Sequence, residues 1–574
     1  MQRRTFLRSA SLAGLMPRIP ALLAGGNTSA PHTTAGTLPA AVAQRLDEQI
    51  PFYMQAMNAP GLTFCLTSLH GQTQVATYGY ETLDTRTPVS PDQLFQIGSI
   101  SKSMAALVAL QLIDEGKLDL ERPVLDYLPW LPWKTPFGSV TAHHLLTHTS
   151  GMPNGGALVF PAPYWTHLQR YAPGAHFFYS NMAFETLGLL IAALDGGTYQ
   201  NSLCARLLIP LGLNHTCAAI DDASWPLQAN SYYPAAPDRP SLRFSALTQA
   251  PLFHADEAAG CVSSTPADMA IYLRFLLRGG VTDKGRRLVS EAGFQKMSRP
   301  WIAAPEFGDH ASYGYGIAVD TDAGDHVLLH TGGMISFMSA IYVNLTRGIA
   351  AFASINAQQG YRPMPVARFA VQSLRAQDAG GAMPARIPIE PACNAPKAEE
   401  YAGAYTGPDG TLRIAANASQ ITLHIGDATL PMEGGATTFV VNDPLHGRHS
   451  WVFERNRAGE IAGVGYGDRF YTRDGVAPLP AAPAPPTGWE QLIGSYTNDD
   501  PWIGTANVFL RRGTLYMDDA QLLPGPDGSF FLGPDPDSTD RVAFRSIIGG
   551  QARILLFNGA ALHRSPLWTG PCAS

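Results

Sequence analysis

The sequence predicts an α+β protein in which an antiparallel sheet flanked by helices is followed by two small antiparallel β-barrels. Apolar runs at 326–330, 337–343 and 349–355 predict consecutive strands, and a tight turn at 344–348 implies that the last two pair antiparallel. Residues 399–406 (E-E-Y-A-G-A-Y-T) are echoed at 490–497 (E-Q-L-I-G-S-Y-T), and short alternating strands follow each copy. One mixed domain and two copies of an all-β domain follow from these patterns.

The first 30 residues resemble an export signal of the twin-arginine type. Arg3 and Arg4 precede a weakly apolar stretch that Pro17 and Pro20 interrupt, and small residues at 28–30 form a candidate cleavage site. This stretch is too short to span a bilayer, and no later segment has 18 consecutive apolar residues. We therefore expect a mature chain without a transmembrane segment, located in the periplasm or secreted.

The mixed domain is predicted at residues 40–378, the first barrel at 397–476 and the second barrel at 488–570. Linkers rich in Gly, Pro and Ala, at 379–396 and 477–487, separate them. Within the mixed domain the predicted elements are an amphipathic helix at 39–57, strands at 62–68 and 74–80, a long helix ending at Gly116 and a long surface loop at 222–256. After the loop we predict a helix capped by Ser264 or Thr265 with Pro266 early in it, a strand at 313–317 and a closing helix at 363–374.

Ser99 and Lys102 stand three residues apart at the start of the long helix, which places both side chains on one face. A serine hydroxyl needs a nearby base to act as a nucleophile, and a buried lysine can be that base if its pKa falls toward neutrality. Unpaired backbone N–H groups at the helix start would favour an oxyanion there. Alone, this spacing is equally compatible with a helix cap and a surface lysine.

Two further motifs follow in the chain. Tyr179 and Asn181 stand two apart at the entrance to an apolar helix, where they are either a core tyrosine and a cap or a phenol and an amide facing one cleft. His330, Thr331, Gly332 and Gly333 end a predicted strand, and glycines at such a place allow another backbone to approach closely.

Metal and nucleic-acid binding are not expected. His143, His144 and His148 lie within six residues, but no carboxylate or cysteine accompanies them in a ligand pattern, so we interpret them as histidines that hold a turn. The net charge is −7, and no basic stripe interleaved with aromatic residues is present.

The three motifs together resemble those of the penicillin-recognising serine hydrolases, a superfamily that includes class C beta-lactamases, D-Ala-D-Ala carboxypeptidases, D-aminopeptidases and esterases. The matching text is F-Q-I-G-S-I-S-K at 95–102, L-L-T-H-T-S-G at 145–151, Y-S-N at 179–181 and H-T-G-G at 330–333. The resemblance covers residues 40–375 and implies a beta-lactamase/transpeptidase-like fold with a helical subdomain. It implies neither a metal nor an organic cofactor.

The same resemblance implies a role for each motif residue. Ser99 would form an acyl-enzyme, with Lys102 as its base, while Tyr179 would pass a proton to the leaving group and help to activate the deacylating water. Asn181 would bind the substrate amide, and the N–H groups of Ser99 and Gly333 would form the oxyanion hole. Substrate binding would also involve the third-motif residues His330, Thr331 and Gly332.

One position departs from the pattern of beta-lactamases and carboxypeptidases, which usually carry lysine where this chain has His330. Histidine is mostly neutral above about pH 6.5, which favours aminopeptidase, amidase or esterase members over those that bind a free carboxylate. D-aminopeptidases also resemble the whole chain, because two small barrels follow their catalytic domain. We therefore expect hydrolysis of an amide or ester in a small D-residue-containing peptide. The alternatives are a class C-type beta-lactamase or carboxypeptidase, and a non-catalytic penicillin-binding-like sensor or interaction protein.

Overall fold

The computed structural model describes residues 32–34, 36–131, 133–154, 169–236, 238–252, 257–358, 362–395, 397–500, 503–525, 528–533 and 538–565. The expected export signal at 1–30 lies outside the described residues. Among the described helices, none combines the length and the apolar character needed to cross a membrane.

A ten-stranded antiparallel sheet is the centre of the mixed domain. Its edge-to-edge order is His32–Thr34, Thr73–Thr82, Gly61–Ser68, Ile349–Ile355, Met338–Asn344, Asp325–Gly333, Ala318–Asp322, Ser312–Tyr313 and Ile302–Ala303, with Thr87–Pro88 beside Thr73–Thr82. The antiparallel pairing of the strands around the 344–348 turn is confirmed, with Asn344 opposite Ile349.

Both faces of this sheet are covered, which is why its central strands are apolar throughout rather than alternating. In Met338–Asn344 every residue is buried; Ile341 contributes to one hydrophobic core and Tyr342 to the other. Helices Ala40–Met57 and Pro363–Asp378 pack on the Tyr342 side. The other side holds helices Ser101–Asp114 and Pro266–Leu277 and the rest of the helical part: Val124–Tyr127, Ala142–Leu146, Asn181–Asp195, Tyr199–Leu203 continuing through a π-helical turn Cys204–Leu208 into Ile209–Leu211, and Glu291–Met297.

Local signals account for several helix ends. Of the two predicted cap residues, Ser264 and Thr265, the cap is Thr265: its side chain accepts from the backbone N–H of Asp268 at the start of the helix that Pro266 opens. Gly116, with φ of +70°, follows the end of Ser101–Asp114 as the predicted stop. The Asn181 helix is capped by Ser180, whose side chain accepts from the N–H of Ala183.

The strand predicted at 313–317 is wrong in its extent. The structure has a two-residue strand, Ser312–Tyr313, and a separate strand, Ala318–Asp322. Gly316 lies between them with φ of +69°, where a Cβ atom would come within 2.6 Å of the Lys102 carbonyl oxygen. The chain bends there because the backbone must pass directly against the helix that carries Lys102.

Short strand pairs and single 3-10 turns complete the mixed domain. The predicted loop at 222–256 contains a two-stranded hairpin, so it is more ordered than the sequence suggested. The pairs are Phe95–Gln96 with Ser263–Ser264 and Tyr232–Pro234 with Leu247–Gln249; the 3-10 turns are Gly98–Ile100, Trp225–Leu227 and Pro305–Phe307.

The two barrels are closed eight-stranded antiparallel meanders, as the repeat predicted. In each, the first strand pairs with the last. The first barrel comprises Gly403–Gly407, Gly410–Asn417, Gln420–Ile425, Ala428–Gly435, Thr438–Val441, Trp451–Arg455, Ile461–Tyr466 and Arg469–Arg473, preceded by Ala398–Glu400 and with Cys393–Asn394 parallel to Ala428–Gly435. The second barrel comprises Gly494–Thr497, Thr505–Arg511, Thr514–Met517, Ala520–Pro524, Phe530–Leu532, Arg541–Ile548, Gln551–Phe557 and Ala560–Arg564, preceded by Trp489–Leu492.

The repeated sequence forms the same hydrogen-bonded contact in both barrels. Tyr405 and Tyr496 are both fully buried, and each hydroxyl donates to the carbonyl oxygen four residues earlier, at 2.6 and 2.7 Å. Arg473 and Arg564, each in the last strand of its barrel, donate to carbonyl oxygens just before these tyrosines. The repeat therefore fixes the point where each barrel closes.

Candidate active site

Ser99 lies in the 3-10 turn Gly98–Ile100, which runs directly into helix Ser101–Asp114. Gly98 has φ of +54°, a conformation that side-chain-bearing residues rarely adopt. A Cβ atom on Gly98 would lie 2.6 Å from the backbone nitrogen of Gly333. The turn therefore brings the backbone at Ser99 against the end of strand Asp325–Gly333, two segments that are more than 200 residues apart in the chain.

Lys102 points from the first turn of the helix back to Ser99. Its Nζ lies 2.9 Å from Ser99 Oγ, 2.6 Å from Asn181 Oδ1 and 2.7 Å from the carbonyl oxygen of Ala259. A neutral amine has two N–H donors and one lone pair. The two fixed acceptors, Asn181 and Ala259, take both donors and leave the lone pair directed at the Ser99 hydroxyl.

Burial determines the charge of this lysine. Lys102 is 0% exposed. Desolvation lowers the pKa of Lys102 to about 7, against the opposing pull of the Glu185 and Glu257 carboxylates. Burial also raises the pKa of Glu185, and the negative charge of Glu257 raises it further. A carboxyl group whose pKa is raised in this way holds a proton on Lys102 less strongly than an ordinary carboxylate would, so the amine can serve as a base near neutral pH.

Tyr179 stands over the same lysine. The Lys102 Nζ lies 4.9 Å from the centre of the Tyr179 ring. His148 holds the backbone on both sides of this tyrosine: its carbonyl oxygen accepts from the Phe178 N–H at 2.9 Å and its Nδ1 accepts from the Ser180 N–H at 3.0 Å. The centres of the His148 and Tyr179 rings are 4.3 Å apart, so one residue fixes both the backbone and the ring.

His148 achieves this as a neutral side chain. Its Nδ1 accepts a hydrogen bond, so the proton of the neutral ring is on Nε2. Burial lowers the pKa of His148 well below its usual value, and the nearby Lys102 and His330 lower it further. The backbone of His148 has φ of +56°, in the left-handed region that residues other than glycine adopt infrequently. The interpretation of the 143–148 histidines as turn-holding residues fits this contact and the bond between His144 and Thr141.

His330 is also uncharged. Its Nδ1 lies 2.6 Å from the Thr331 carbonyl oxygen, which can only accept, so Nδ1 carries the proton. Nε2 then accepts from the Tyr313 hydroxyl at 2.9 Å. Burial, with a smaller effect of Lys102, lowers the pKa of His330 to about 3.

Gly332 and Gly333 allow the strand end to touch the turn Gly98–Ile100, which carries Ser99. A Cβ atom on Gly332 would lie 1.9 Å from the Ile97 carbonyl oxygen and 2.3 Å from Ser339 Oγ. The Ser339 hydroxyl donates to that same carbonyl oxygen at 2.6 Å. The close approach expected of these glycines is therefore present, and it places the backbone at Gly333 beside Ser99.

A cavity of about 1230 Å³ opens over this cluster. Ser99 forms part of its wall, whereas Lys102 lies behind it. The far wall comes from the second barrel, through residues 503–505 and Asn498. Predicted residues in the wall are Ser99, Tyr179, Asn181, His330, Thr331 and Gly333.

A sequence model of the Beta-lactamase family matches residues 46–376, which is more than half of the chain. The chain belongs to the beta-lactamase family.

Individual relatives agree with this assignment. A beta-lactamase of Pseudomonas fluorescens is 30% identical over 201 residues, covering 33% of this chain and 55% of that protein. A beta-lactamase of Providencia stuartii is 30% identical over 199 residues, covering 33% of this chain and 50% of that protein. The match thus spans about half the length of these relatives.

A solved structure supports the fold. The octameric penicillin-binding protein homologue from Pyrococcus abyssi superposes with a TM-score of 0.54 at 22% identity, over 75% of this chain and 100% of that chain. The chain therefore has a beta-lactamase/transpeptidase-like fold.

The fold brings all three beta-lactamase-family motifs to one place, but sequence reasoning missed several neighbours. Asn154 lies in the cavity wall, and its Oδ1 accepts from both the backbone N–H and the Nδ2 of Asn181. Glu185 stands one helical turn after Asn181, a spacing that could have identified it. Glu257 and the second-barrel residues had no local signal.

Asn181 was expected to bind the substrate amide, and in the structure it also forms hydrogen bonds within the protein. Its Oδ1 accepts from Lys102 and its Nδ2 donates to Asn154, so both ends of the amide are engaged within the protein.

Among the described residues, no group of three or more His, Cys, Asp or Glu side chains is placed to hold a metal ion.

Proposed function

We propose that the chain hydrolyses amide or ester bonds in small D-residue-containing peptides through an acyl-enzyme on Ser99. The observation that carries the proposal is the 2.9 Å contact between Ser99 Oγ and Lys102 Nζ, a buried amine whose pKa is lowered to about 7. A base with a pKa close to the working pH combines a useful neutral fraction with real basicity.

The proposed reaction has two stages, acylation of Ser99 and hydrolysis of the acyl-enzyme. Lys102 accepts the proton of Ser99 as Oγ attacks the carbonyl carbon, and the N–H groups of Ser99 and Gly333 stabilise the oxyanion. The carbon–nitrogen or carbon–oxygen bond then breaks, and the leaving group takes a proton delivered through Tyr179. Water attacks the resulting ester with the same groups in reverse order, which releases the acid and restores the Ser99 hydroxyl.

The charges of the cavity support a substrate with an amino group. His330 is neutral, so the third motif supplies no positive charge for a substrate carboxylate. Glu257, 9% exposed, and Glu306 and Glu390 line the cavity. Of the two arginines that also line it, Arg239 is paired with Asp238 and Arg368 lies over the Tyr342 ring. A peptide with a free amino terminus suits such a wall. The D configuration rests on the resemblance in domain layout to D-aminopeptidases.

Turnover of D-alanine p-nitroanilide tests this proposal, with L-alanine p-nitroanilide, a p-nitrophenyl ester and nitrocefin as comparison substrates. We expect the wild type to cleave the D-anilide faster than the L-anilide, and Ser99→Ala to lose at least about 10³-fold of that activity while keeping its melting temperature. Ser298→Ala, just after helix Glu291–Met297, is the control.

Three results would count against the proposal in different ways. Residual turnover by Ser99→Ala would remove Ser99 from its role. Cleavage of nitrocefin with a penicillin adduct on Ser99, and no anilide cleavage, would favour the second candidate, a beta-lactamase or carboxypeptidase, which the two similar beta-lactamases support. Failure of a fluorophosphonate or a labelled penicillin to label the folded protein would favour the non-catalytic alternative.

We also propose that residues 1–30 export the protein to the periplasm or beyond by the twin-arginine route. Replacing both Arg3 and Arg4 by lysine retains the charge but removes the paired guanidinium groups. We expect this double variant to accumulate in the cytoplasm of a host that exports the wild type. The same double replacement at Arg286 and Arg287, on an exposed loop, is the control; equal export of all three proteins would contradict the proposal.

A further inference from the structure

The second barrel is bonded directly to Met152 and Asn154 of the mixed domain. The Thr539 hydroxyl donates to the Met152 carbonyl oxygen at 2.9 Å in a buried contact. Asp540 Oδ1 accepts from the Asn154 backbone N–H at 3.1 Å. Asn558, from the same barrel, donates its Nδ2 to that oxygen at 2.8 Å and so fixes the carboxylate.

A second contact joins the same two parts. The Arg170 guanidinium lies 3.9 Å from the centre of the Phe531 ring and donates to the Ser538 carbonyl oxygen. The Arg170 backbone N–H donates to the Gly151 carbonyl oxygen at 3.3 Å, which ties it to the segment that Thr539 and Asp540 hold. The 151–154 segment is therefore fixed to the barrel on two sides.

From this segment a chain of hydrogen bonds reaches the catalytic lysine. Asn154 Oδ1 accepts from the N–H of Asn181 at 3.3 Å and from its Nδ2 at 3.0 Å. Because its Nδ2 is held in this way, the Asn181 amide must present Oδ1 on the opposite side, where it accepts from Lys102 at 2.6 Å. Asn181 is one of the two acceptors that direct the Lys102 lone pair at Ser99.

We propose that the second barrel is part of the catalytic unit, with Asp540 and Thr539 acting as positioning residues that hold Asn154, and through it Asn181 and Lys102, in the reactive arrangement. This inference rests on the proposed roles of Ser99 and Lys102. In this proposal the second barrel helps to position the general base, Lys102, in addition to forming part of the cavity wall.

Variants at Asp540 and Thr539 can remove the hydrogen bonds of this contact selectively. Both of its bonds, from Asn154 and from Asn558, end on the same oxygen, Oδ1. Asp540→Asn can retain that oxygen and both bonds, whereas Asp540→Ala loses both. Thr539→Val keeps the shape of the side chain and removes only the donor to Met152. Asp519→Ala is the matched control, because Asp519 accepts a 2.7 Å bond from Ser450 at the contact between the two barrels, away from the site.

The rate of labelling by a fluorophosphonate, measured against pH on the full-length chain, reports the reactivity of Ser99 without requiring the natural substrate. We expect Asp540→Ala to label about 10-fold more slowly or worse, since small displacements of catalytic groups are costly. We expect its pH midpoint to move below that of the wild type, because Lys102 loses an acceptor that stabilises the ammonium form. Asp540→Asn should stay within about twofold of the wild type and Asp519→Ala should be unchanged, by the same reasoning on which bonds survive.

The pH midpoint separates positioning from a merely structural role, since a loss of folded protein scales the rate equally at every pH. If Asp540→Ala does not fold, as judged by its melting temperature, Thr539→Val decides by the same two readouts. Labelling of the deciding variant at the wild-type rate and midpoint would overturn the inference. No labelling of the wild type, or undiminished labelling of Ser99→Ala, would instead overturn the proposed function.

Discussion

Replacing Lys102 by methionine is expected to slow acylation of Ser99 by about 10³-fold, within the range that positioned general bases contribute. Methionine has a similar length, so it fills the buried space while removing the amine that lies 2.9 Å from Ser99 Oγ. The measurement is the rate of fluorophosphonate labelling at about pH 8, where the wild-type amine is mostly neutral. Lys117→Met is the control, because Lys117 is half-exposed and paired with Glu115 at the surface.

The pH dependence of the wild type belongs to the same prediction. With the pKa of Lys102 lowered to about 7 by burial, labelling should rise with pH and reach half of its maximum near pH 7, as the ammonium becomes an amine. Lys102→Met should lose this step. A midpoint near the ordinary lysine pKa of 10.5, or a Lys102→Met variant that labels at the wild-type rate, would exclude Lys102 as the base.

Lys102 should also leave a signature in stability. The ordinary pKa of a lysine side chain is 10.5 and that of Lys102 in the folded chain is about 7, so between those values the folded state binds fewer protons than the unfolded state. The free energy of unfolding contributed by this group therefore rises with pH from about 7 to 10.5. Lys102→Met removes the cost of burying the charge, so its gain in melting temperature over the wild type should be larger at about pH 6 than at about pH 9.

Gly332→Ala is expected to have a comparably large effect, on both stability and reactivity. The added methyl group would lie 1.9 Å from the Ile97 carbonyl oxygen and 2.3 Å from Ser339 Oγ, so the strand end and the Gly98–Ile100 turn must separate. Overpacking of this kind costs about 1–3 kcal/mol or more. Because the same separation moves Gly333 away from Ser99, labelling should fall by about 10²-fold, the loss typical of one missing oxyanion donor.

The control for this variant is Gly197→Ala. A Cβ atom added to Gly197 would meet no other part of the chain within 4 Å, and the backbone there is compatible with alanine. Chemical denaturation measures the stability of each variant, and the rate of fluorophosphonate labelling measures the reactivity of Ser99. If Gly332→Ala unfolds at the wild-type denaturant concentration and labels at the wild-type rate, the close approach of the two backbones is not needed by the site.

Much of the mixed domain could be predicted because its signals are local. The helix that carries Lys102 and its stop at Gly116, the Thr265 cap, and the strands around the 344–348 turn each depend on neighbours within a few residues. The strand predicted at 313–317 was wrong because the competing influence, the passage of Gly316 against the Lys102 carbonyl oxygen, comes from a segment about 200 residues away.

In the barrels, too, features that depend on local sequence could be predicted and contacts with distant segments could not. The repeat predicted two copies of a closed antiparallel domain, since each copy carries its own buried tyrosine and its own closing strand. It gave no indication that the second copy bonds to Asn154. Asp540 and Thr539 resemble ordinary polar residues of a loop before a strand, because their partners lie almost 400 residues earlier.

The sequence by itself determined the order of the motifs, the residue types that can perform acyl transfer and the replacement of a third-motif lysine by His330, since these are properties of residues and short spacings. Only the tertiary structure decided the lowered pKa values of Lys102, His330 and His148 and the link from Asp540 through Asn154 to Asn181. Those depend on desolvation and on which distant polar groups meet, and burial is a property of the packed chain, not of any local pattern.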